Sequence, residues 1–487
     1  MAPDALYSAA FPPHAALAMP PEQTRPMPGP AALARIAAAI VFLKLVVLAL
    51  DPEIRFFFGD SASYVHAALT GWVPPDRSPT YPMLLHSMGG QGGLVRLLLA
   101  QTAIGALSCL LVWALLVGPL RVRPALAAGA ALLLAVEPMQ LYYERSVMAE
   151  TAGTACLLGM LAALAASLQL RRPPWLVVAA GLGVAAVSLR VSLLPVVLVL
   201  SALAPLLWLL ADRAARPGRG PLAACLALAL LSTWAGHHLY RGWYGQVAGV
   251  APAWIADEPW FRLGWLAPLV DGTHLARLGL EPALLDTVGP PLRDRRAREA
   301  QIWSPDGLVN VLRRAGGDQG PRIAGKIAKR IQRERPMAVV GLGLATLGDH
   351  FDGSYARDRM GNDLGRHTVA SAAFIDRVRT HYGHDASDWR HDRAPVTRAF
   401  ESARPAYTLA LLLAFPAGAW LLWLAWRRRD PVAALPALAL LGLAVAYVLF
   451  SHILVYRYLH PLVPVLLVTL AVLADRPGRS SGSSLRS

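Results

Sequence analysis

The chain contains one polar stretch whose residue types could perform acid–base and phosphate chemistry. Residues 56–82 read FFFGDSASYVHAALTGWVPPDRSPTYP and include an acid (Asp60), a tyrosine four residues later (Tyr64) and a base (Arg77). In a helix that begins near Gly59, Asp60 and Tyr64 would share one face. The alternative is an ordinary loop in which Asp60 caps a short helix, a common role for aspartate. The stretch alone leaves both interpretations open, so the elements that would position it must be considered.

Composition indicates that these elements are membrane helices. The 487-residue chain is 55% hydrophobic and 16% charged, with a mean hydropathy of +0.43, and its apolar residues come in long runs. The net charge of +15 could suit nucleic acid, but much of the basic charge lies in short loops beside apolar runs. The sequence carries no aromatic-basic nucleic-acid motif and no P-loop. We therefore predict a lipid bilayer as partner and no nucleic acid, and the class of nucleotide-driven pumps is excluded.

Ten apolar segments have the length expected of membrane helices. They are residues 31–50, 94–118, 125–141, 147–170, 175–189, 191–211, 221–240, 405–426, 432–451 and 455–474. Arginine-rich loops between them are typical of the cytoplasmic side, and consecutive loops of this kind are separated by an even number of crossings. The sequence thus predicts an all-α polytopic membrane protein, a bundle of about ten transmembrane helices with both termini inside.

The predicted domains follow this topology. Residues 1–30 form a disordered cytoplasmic tail, and 31–240 form an N-terminal transmembrane module whose first external loop, 51–93, carries Asp60. Residues 241–404 form a large periplasmic region with interfacial helices near 326–351. Residues 405–474 form the C-terminal transmembrane helices, and 475–487 form a second cytoplasmic tail.

Some charged residues are expected to be structural. Lys44, inside the first apolar run, is predicted to snorkel to the interface, with a site-facing position as the alternative. Asp349, His350 and Asp352 imitate a metal cluster but are interpreted as solvated loop charges. We therefore predict no metal-ligating residues, although divalent-metal assistance to a leaving phosphate stays open.

The topology collects further polar residues at the external end of the bundle. They are Glu137, Tyr142, Tyr143, Glu144, Glu150, Arg190, Tyr456, Arg457 and His460. Acids, arginines and tyrosines gathered there suit chemistry on a lipid-linked phosphate, because arginine stabilises a phosphate leaving group. A carboxylate can take the proton of an attacking sugar hydroxyl. A single displacement at an anomeric carbon needs one such base, unlike the two carboxylates of a retaining glycosidase.

Several motifs resemble the GT-C glycosyltransferases that use polyprenyl-phosphate sugars, a group that includes protein mannosyltransferases and the aminoarabinose transferase of lipid A. GDSASYVHAA followed by DRSPTYPMLL resembles their first external loop, and EPMQLYYERSVMAET their second acidic segment. SLRVSLLP resembles their arginine-containing turn, and YRYLHPLVP the start of their final helix. The acidic pair usual in the first loop is Asp60-Ser61 here, so only Asp60 can carry that role.

The resemblance implies a role for each matched residue. Asp60 would be the catalytic base, and Glu150, or alternatively Glu144, the second acid that orients the acceptor or supports the base. Arg77, Arg190 and Arg457 would bind the donor phosphate. The pocket would be shaped by Tyr64, Tyr81, Tyr456 and His460.

The resulting prediction is a glycosyltransferase of the bacterial inner membrane whose active site faces the periplasm. It would transfer a sugar from a polyprenyl-phosphate donor to a periplasmic lipid, glycan or protein acceptor by inverting displacement. One rival is a transporter or lipid flippase, which would favour charges near the bilayer midplane and duplicated halves. The other is a non-catalytic scaffold of the cell envelope, in which the large external region would be the working part.

Overall fold

The computed structural model describes residues 29–57, 59–212, 214 and 216–475. The first half of this part contains ten α-helices: α1 Pro30–Leu50, α2 Ser61–Thr70, α3 Thr80–Ser87, α4 Gly93–Val117, α5 Pro124–Ala135, α6 Pro138–Glu144, α7 Glu150–Leu170, α8 Pro174–Leu189, α9 Leu194–Leu203 and α10 Arg219–Ala248. The second half contains α11 Glu258–Trp265, α12 Gly272–Ala276, α13 Arg298–Trp303, α14 Leu308–Gly316, α15 Gly320–Glu334, α16 Pro336–Gly348, α17 Gly353–Asp363, α18 Ala372–Tyr382, α19 Pro395–Ser402, α20 Arg404–Arg428, α21 Pro431–Phe450 and α22 Leu462–Asp475.

Short 3-10 helices join several of these elements, at Val191–Leu193, Pro205–Leu210, Ala267–Leu269, Pro282–Thr287, Arg295–Ala297, Gly317–Gln319, Asp349–Phe351 and Tyr456–Leu459. Within the described residues no strand is formed, and one isolated bridge pairs Arg55 with Ser146. The predicted tails lie almost entirely outside the described residues, apart from Gly29, Pro30 and Asp475. The all-α class of the sequence prediction is confirmed.

Seven helices of the described chain are long and apolar enough to cross a membrane, if the 3-10 helix Tyr456–Leu459 and α22 are taken together as one helix. The number is eight if the bent pair α5–α6 is also counted as one span. These seven correspond to seven of the ten predicted spans, and a polytopic membrane protein is confirmed. The other three predicted spans, 125–141, 175–189 and 191–211, are bent or short. The first bends by 51° at Glu137, because Pro138 disfavours helical backbone in the preceding residue. The Glu137 carboxylate then caps α6 through the N–H groups of Met139 and Gln140.

Two of these segments, 175–189 and 191–211, nevertheless run the length of α7. Arg190, after α8, lies beside Glu150 at the start of α7, with 3.8 Å between the guanidinium and the carboxylate. Trp208, after α9, donates its indole N–H to the carbonyl of Leu168 near the end of α7, at 3.3 Å. The chain therefore runs antiparallel to α7 in α8, and residues 191–210 then return along α7 in the opposite direction.

The bundle core buries Lys44, contrary to the prediction that it snorkels. Its side chain is 3% exposed and its Nζ lies 2.5 Å from Oε1 of Glu144, which is fully buried. Gln140 also donates to Glu144, at 2.9 Å. A buried lysine needs such a partner, since an unpaired charge inside the bundle would be costly. Lys44 thus links α1 to α6 rather than reaching the interface.

α10 continues beyond residue 240 to Ala248, and so extends into the start of the predicted hydrophilic region. Residues 326–351 form the predicted pair of a basic helix, α15, and a short apolar helix, α16, of 13 residues. Gly343 of α16 packs against α21, where a Cβ atom would lie 2.4 Å from the Val448 carbonyl oxygen. Met337 and Leu344 on the same helix are exposed. Their location at a bilayer interface stays a prediction.

The interpretation of Asp349, His350 and Asp352 as solvated charges is wrong for the first two. Asp349 is 2% exposed and pairs with Arg295 and with Arg296, at 2.7 Å for the second. His350 is buried between Tyr447, at 2.9 Å, and Thr408, at 3.2 Å. Burial lowers the pKa of His350 to about 4, so it is neutral near pH 7. Among the described residues, no group of three or more His, Cys, Asp or Glu side chains could hold a metal.

Candidate active site

The first loop is fixed to the acidic segment by backbone pairing. The Arg55 N–H donates to the Arg145 carbonyl at 2.8 Å, and the Val147 N–H donates to the Arg55 carbonyl at 2.9 Å. Ser61, at the start of α2, donates its hydroxyl to the Val147 carbonyl at 2.9 Å. The same hydroxyl accepts from the Phe57 N–H at 2.8 Å. These bonds bring the loop that carries Asp60 beside the start of α7, which carries Glu150.

Asp60 lies between two arginines from distant parts of the chain. Its Oδ1 is 2.8 Å from Nη1 of Arg77, and its Oδ2 accepts from Nη1 of Arg457 at 2.5 Å. Asp60 also occupies the N-cap position of α2, but its carboxylate makes no capping hydrogen bond. The capping interpretation is therefore wrong for the side chain: both oxygens face arginines instead of the helix N-terminus.

The two arginines control the charge of this carboxylate. Burial by itself would raise the pKa of Asp60, but the positive charges of Arg457 and Arg77 outweigh it and lower the pKa below its ordinary value. The same carboxylate raises the pKa of Arg77 against the effect of burial. The Asp60 side chain is 17% exposed and that of Arg457 16%, so the ion pair still reaches the solvent-accessible surface. Asp60 is thus an anion at neutral pH, paired through both of its oxygens.

Arg77 lies beside an aromatic ring that is itself packed against a second ring. Its guanidinium lies 5.3 Å from the ring centre of Tyr64, and that ring packs edge-on against Tyr81 at 4.8 Å. The Tyr81 hydroxyl donates to Gln101 at 2.9 Å. Arg77 also donates to the Gly59 carbonyl at 3.0 Å. Burial raises the pKa of the Tyr64 hydroxyl, with a further contribution from Asp60, so this tyrosine is a neutral wall of the site.

The last turns of α10 and the residues that follow them support the loop of Arg77 from outside. The Asp257 N–H donates to the Pro75 carbonyl at 2.8 Å. The Tyr244 hydroxyl donates to the Pro74 carbonyl at 3.3 Å and accepts from the Ala256 N–H at 2.9 Å. Tyr240 is hydrogen-bonded to Ser78. The end of α10 and the start of the hydrophilic region therefore hold the chain on either side of Arg77.

Glu150 and Arg190 form a second acid–base pair at the same end of the bundle. Arg190 Nη2 is 3.8 Å from Glu150 Oε1, and both side chains are 5% exposed. Arg190 Nη2 also donates to the backbone carbonyl of Arg457 at 3.3 Å. Gly153 allows this close approach, since a Cβ there would be 3.0 Å from Arg190 Cγ. The buried Oε2 of Glu150 and Nη1 of Arg190 have no hydrogen-bond partner among the described residues.

Three of the predicted site residues point elsewhere. Glu144 is held by Lys44 and Gln140. His460 is hydrogen-bonded to Gln140 at 2.8 Å and to Thr154 at 3.1 Å, inside the bundle. Tyr456 is fully buried, with its ring beside His350 and Tyr407. The geometry therefore favours Glu150 over Glu144 as the second acid.

The structure adds residues that the sequence reasoning did not select. The guanidinium of Arg457 lies 4.7 Å from the ring of Phe57 and 5.1 Å from that of Tyr458, which is also 5.9 Å from Arg190. Asp76 pairs with Arg77 at 2.5 Å. Phe57 precedes Asp60 by three residues and Tyr458 directly follows Arg457. An aromatic residue close in sequence to a predicted site residue could therefore have pointed to both. Asp76 was equally visible as the neighbour of Arg77.

The site as a whole combines three arginines with three acids directed at them. The arginines are Arg77, Arg190 and Arg457, and the acids are Asp60, Asp76 and Glu150. An arginine that pairs with a carboxylate offers the same fork to a phosphate, which has similar oxygen geometry. The arrangement can therefore exchange an internal carboxylate for an external phosphate.

Comparison with known proteins gives only solved structures. No protein-family model and no curated protein matches the chain. The structure of ArnT from Cupriavidus metallidurans bound to undecaprenyl phosphate is similar to 93% of this chain and 79% of its own, with 18% identity and a TM-score of 0.34. The apo structure of ArnT from the same organism covers 92% and 78%, with 15% identity and a TM-score of 0.31. Because both TM-scores lie below 0.5, these likenesses carry no information about function.

Proposed function

We propose that this chain is an integral membrane glycosyltransferase that takes a sugar from a polyprenyl-phosphate donor. The observation that carries the proposal is the Asp60 carboxylate between Arg77 and Arg457, directly after the first predicted span. A carboxylate can serve as a base, and the arginines beside it can bind the phosphate that leaves. The resemblance of the motifs to GT-C enzymes supports the same assignment.

Phosphate binding would release Asp60. In this structure each Asp60 oxygen faces one arginine, and the pKa of the carboxyl is lowered as a result. A donor phosphate that takes over the forks of Arg77 and Arg457 would withdraw that stabilisation, so the pKa of Asp60 would rise toward its ordinary value. The carboxylate then becomes a stronger base at the moment when the donor is in place.

The reaction would be a single displacement with inversion. The acceptor hydroxyl oxygen attacks the anomeric carbon while Asp60 takes the hydroxyl proton. The bond between that carbon and the phosphate oxygen breaks, and the phosphate leaves with the electron pair, stabilised by the arginines. Glu150, with one buried oxygen that has no partner among the described residues, is placed to orient the acceptor hydroxyl. The products are a glycosylated acceptor and a polyprenyl phosphate.

The setting of the reaction is part of the same proposal. Donor and acceptor would meet on the periplasmic side of a bacterial inner membrane, and the acceptor would be a lipid, a glycan or a protein. Arginine clusters at the opposite end of the bundle support this orientation, since such clusters are typical of the cytoplasmic side. Mass spectrometry of envelope lipids and glycans from cells with and without the protein would identify the sugar and the acceptor.

The test is Asp60→Asn, assayed as sugar transfer in cells and as binding of a polyprenyl monophosphate to the purified protein. Asparagine keeps the volume but cannot accept the proton, so we expect transfer to fall by about 10²–10⁴-fold. Phosphate affinity should stay or increase, because asparagine no longer competes for Arg77 and Arg457. The matched control is Asp385→Asn, an exposed aspartate paired with Arg379. Normal transfer by a folded Asp60→Asn protein would remove the proposed mechanism, and transport without transfer would favour a flippase.

A further inference from the structure

Arg457 lies just after an irregular segment that must be held from outside. Residues 451–455 connect α21 to the 3-10 helix Tyr456–Leu459 and form no regular helix. Their buried backbone groups need hydrogen-bond partners, because an unpaired buried amide or carbonyl is costly. The two groups that flank the approach to Arg457, the Leu454 carbonyl and the Tyr456 N–H, find those partners on a helix of the hydrophilic region.

Both partners are side chains of α17, spaced four residues apart on one face. Asp363 Oδ2 accepts from the Tyr456 N–H at 2.7 Å. Arg359 Nε donates to the Leu454 carbonyl at 3.2 Å. A third residue fixes the guanidinium, because Glu299 of α13 pairs with Arg359 Nη1 at 2.8 Å. Hydrogen bonds from side chains of α17 thus hold the backbone of this segment at two points, a carbonyl and an N–H, immediately before Arg457.

These hydrogen bonds are made by charged side chains whose burial costs free energy. Asp363 is 2% exposed and Arg359 is 7% exposed. Burial raises the pKa of Asp363 to about 6, although Arg359 and Arg457 oppose the rise. Charged side chains in such surroundings generally cost stability compared with apolar ones, so their presence needs a reason other than packing.

We infer that Asp363 and Arg359 are positioning residues for Arg457, and that the hydrophilic region thereby completes the site. The inference rests on the proposed function, in which Arg457 binds the donor phosphate. Arg457 is held from three sides: its neighbouring backbone by α17, its own carbonyl by Arg190, and its side chain by Asp60. Without α17 the guanidinium would lose its fixed distance from Asp60.

The first test is Asp363→Ala in the full-length protein, followed by hydrogen exchange of the peptide that covers residues 451–460. Loss of the acceptor should make the Tyr456 amide exchange faster. Asp363→Asn keeps an acceptor oxygen and should restore slow exchange. The matched control is Asp358→Ala on the same helix. Asp358 is exposed, and in the described structure its ion-pair partner is the exposed His367. Unchanged exchange in folded Asp363→Ala would overturn the positioning role, whether or not the protein transfers a sugar.

The second test links the position of Arg457 to phosphate binding. Asp363→Ala should weaken the affinity for a polyprenyl monophosphate by about tenfold, the effect of one typical hydrogen bond. The loss should vanish in the background of Arg457→Ala, since both changes remove the same contact. A purely structural role would give additive losses and would overturn the inference. If the wild type bound no polyprenyl monophosphate, the proposed function would fail, and hydrogen exchange would still decide the positioning role.

A milder variant covers the case in which Asp363→Ala does not fold. Arg359→Lys keeps the positive charge but lacks the planar fork that reaches Leu454 and Glu299 together. We expect faster exchange in residues 451–460 and a smaller loss of phosphate affinity than for Asp363→Ala. Wild-type exchange and affinity in this variant would overturn the role of Arg359.

Discussion

The paired state of Asp60 is the central feature at the scale of single residues. Asp60 and Arg77 of the first loop meet Arg457, which lies 397 residues after Asp60, in one ion-paired group. Such a carboxylate is a weak base, and it becomes a stronger one only when its arginines find another anion. Binding and activation would therefore be the same event, and Asp60 would stay a weak base until the donor is in place.

Arg457→Ala tests the phosphate side of this exchange. Its guanidinium is largely buried and has one nitrogen, Nε, without a partner in the described structure. Removing it should weaken binding of a polyprenyl monophosphate by about 2–4 kcal/mol, or roughly 30- to 1000-fold. Arg457→Lys should lie in between, because lysine keeps the charge but not the fork. Isothermal titration in detergent gives both affinities.

The control for this variant is Arg379→Ala, an exposed arginine of α18. If Arg457→Ala and Arg379→Ala bound the lipid phosphate equally well, Arg457 would be only a partner of Asp60.

At the scale of elements, the bonds between residues 55–61 and 145–147 decide where Asp60 lies. Ser61 is fully buried and satisfies both the Val147 carbonyl and the Phe57 N–H. Ser61→Ala would leave both groups unpaired, which should cost about 1–3 kcal/mol of unfolding free energy. We also expect lower transfer activity at full folding, because Asp60 follows Phe57 closely in the chain. Thermal unfolding and the transfer assay measure the two effects.

Ser87→Ala is the matched control for that substitution. Ser87 is exposed and bonds only locally, to the Leu84 carbonyl at 2.7 Å. Its replacement should change neither quantity, and an equal effect of both serine variants would contradict the proposed role of the bonds around Ser61.

The elements also show how far sequence patterns reach. Apolar length placed α1 at 31–50 and α21 at 432–451, within one residue of Pro30–Leu50 and Pro431–Phe450. It missed the bend at Glu137, since hydropathy alone does not register that a proline breaks a helix. The motifs selected Asp60, Arg77 and Arg457, but not their pairing. Contacts between residues 397 positions apart leave no periodic signal in the sequence, and neither does the hydrogen bond from the Tyr456 N–H to Asp363.

At the scale of the molecule, the bundle has two ends of different chemistry. One end holds Asp60, Glu150 and their arginines. The other end holds ion pairs with exposed arginines, among them Arg123 with Asp475 at 2.6 Å and Arg429 with Asp212 at 2.5 Å. The helices α4, α7 and α20 connect these ends. The candidate site thus lies at one end of the bundle, and the proposed function depends on which side of the membrane that end faces.

Cysteine labelling tests this orientation in a protein whose native Cys109, Cys156 and Cys225 are replaced. Single cysteines at Ala62, Ala300 and Ser480 report on the first loop, the hydrophilic region and the C-terminal tail. Ten crossings with arginine-rich loops inside predict that a membrane-impermeant reagent labels positions 62 and 300 in intact spheroplasts. Position 480 should react only after the membrane is opened. Positions 62 and 300 should be labelled from the same side of the membrane, because hydrogen bonds from α17 and α10 connect the hydrophilic region to the residues around the site. Labelling of 480 from outside, with 62 and 300 protected, would place Asp60 in the cytoplasm and exclude a periplasmic transferase.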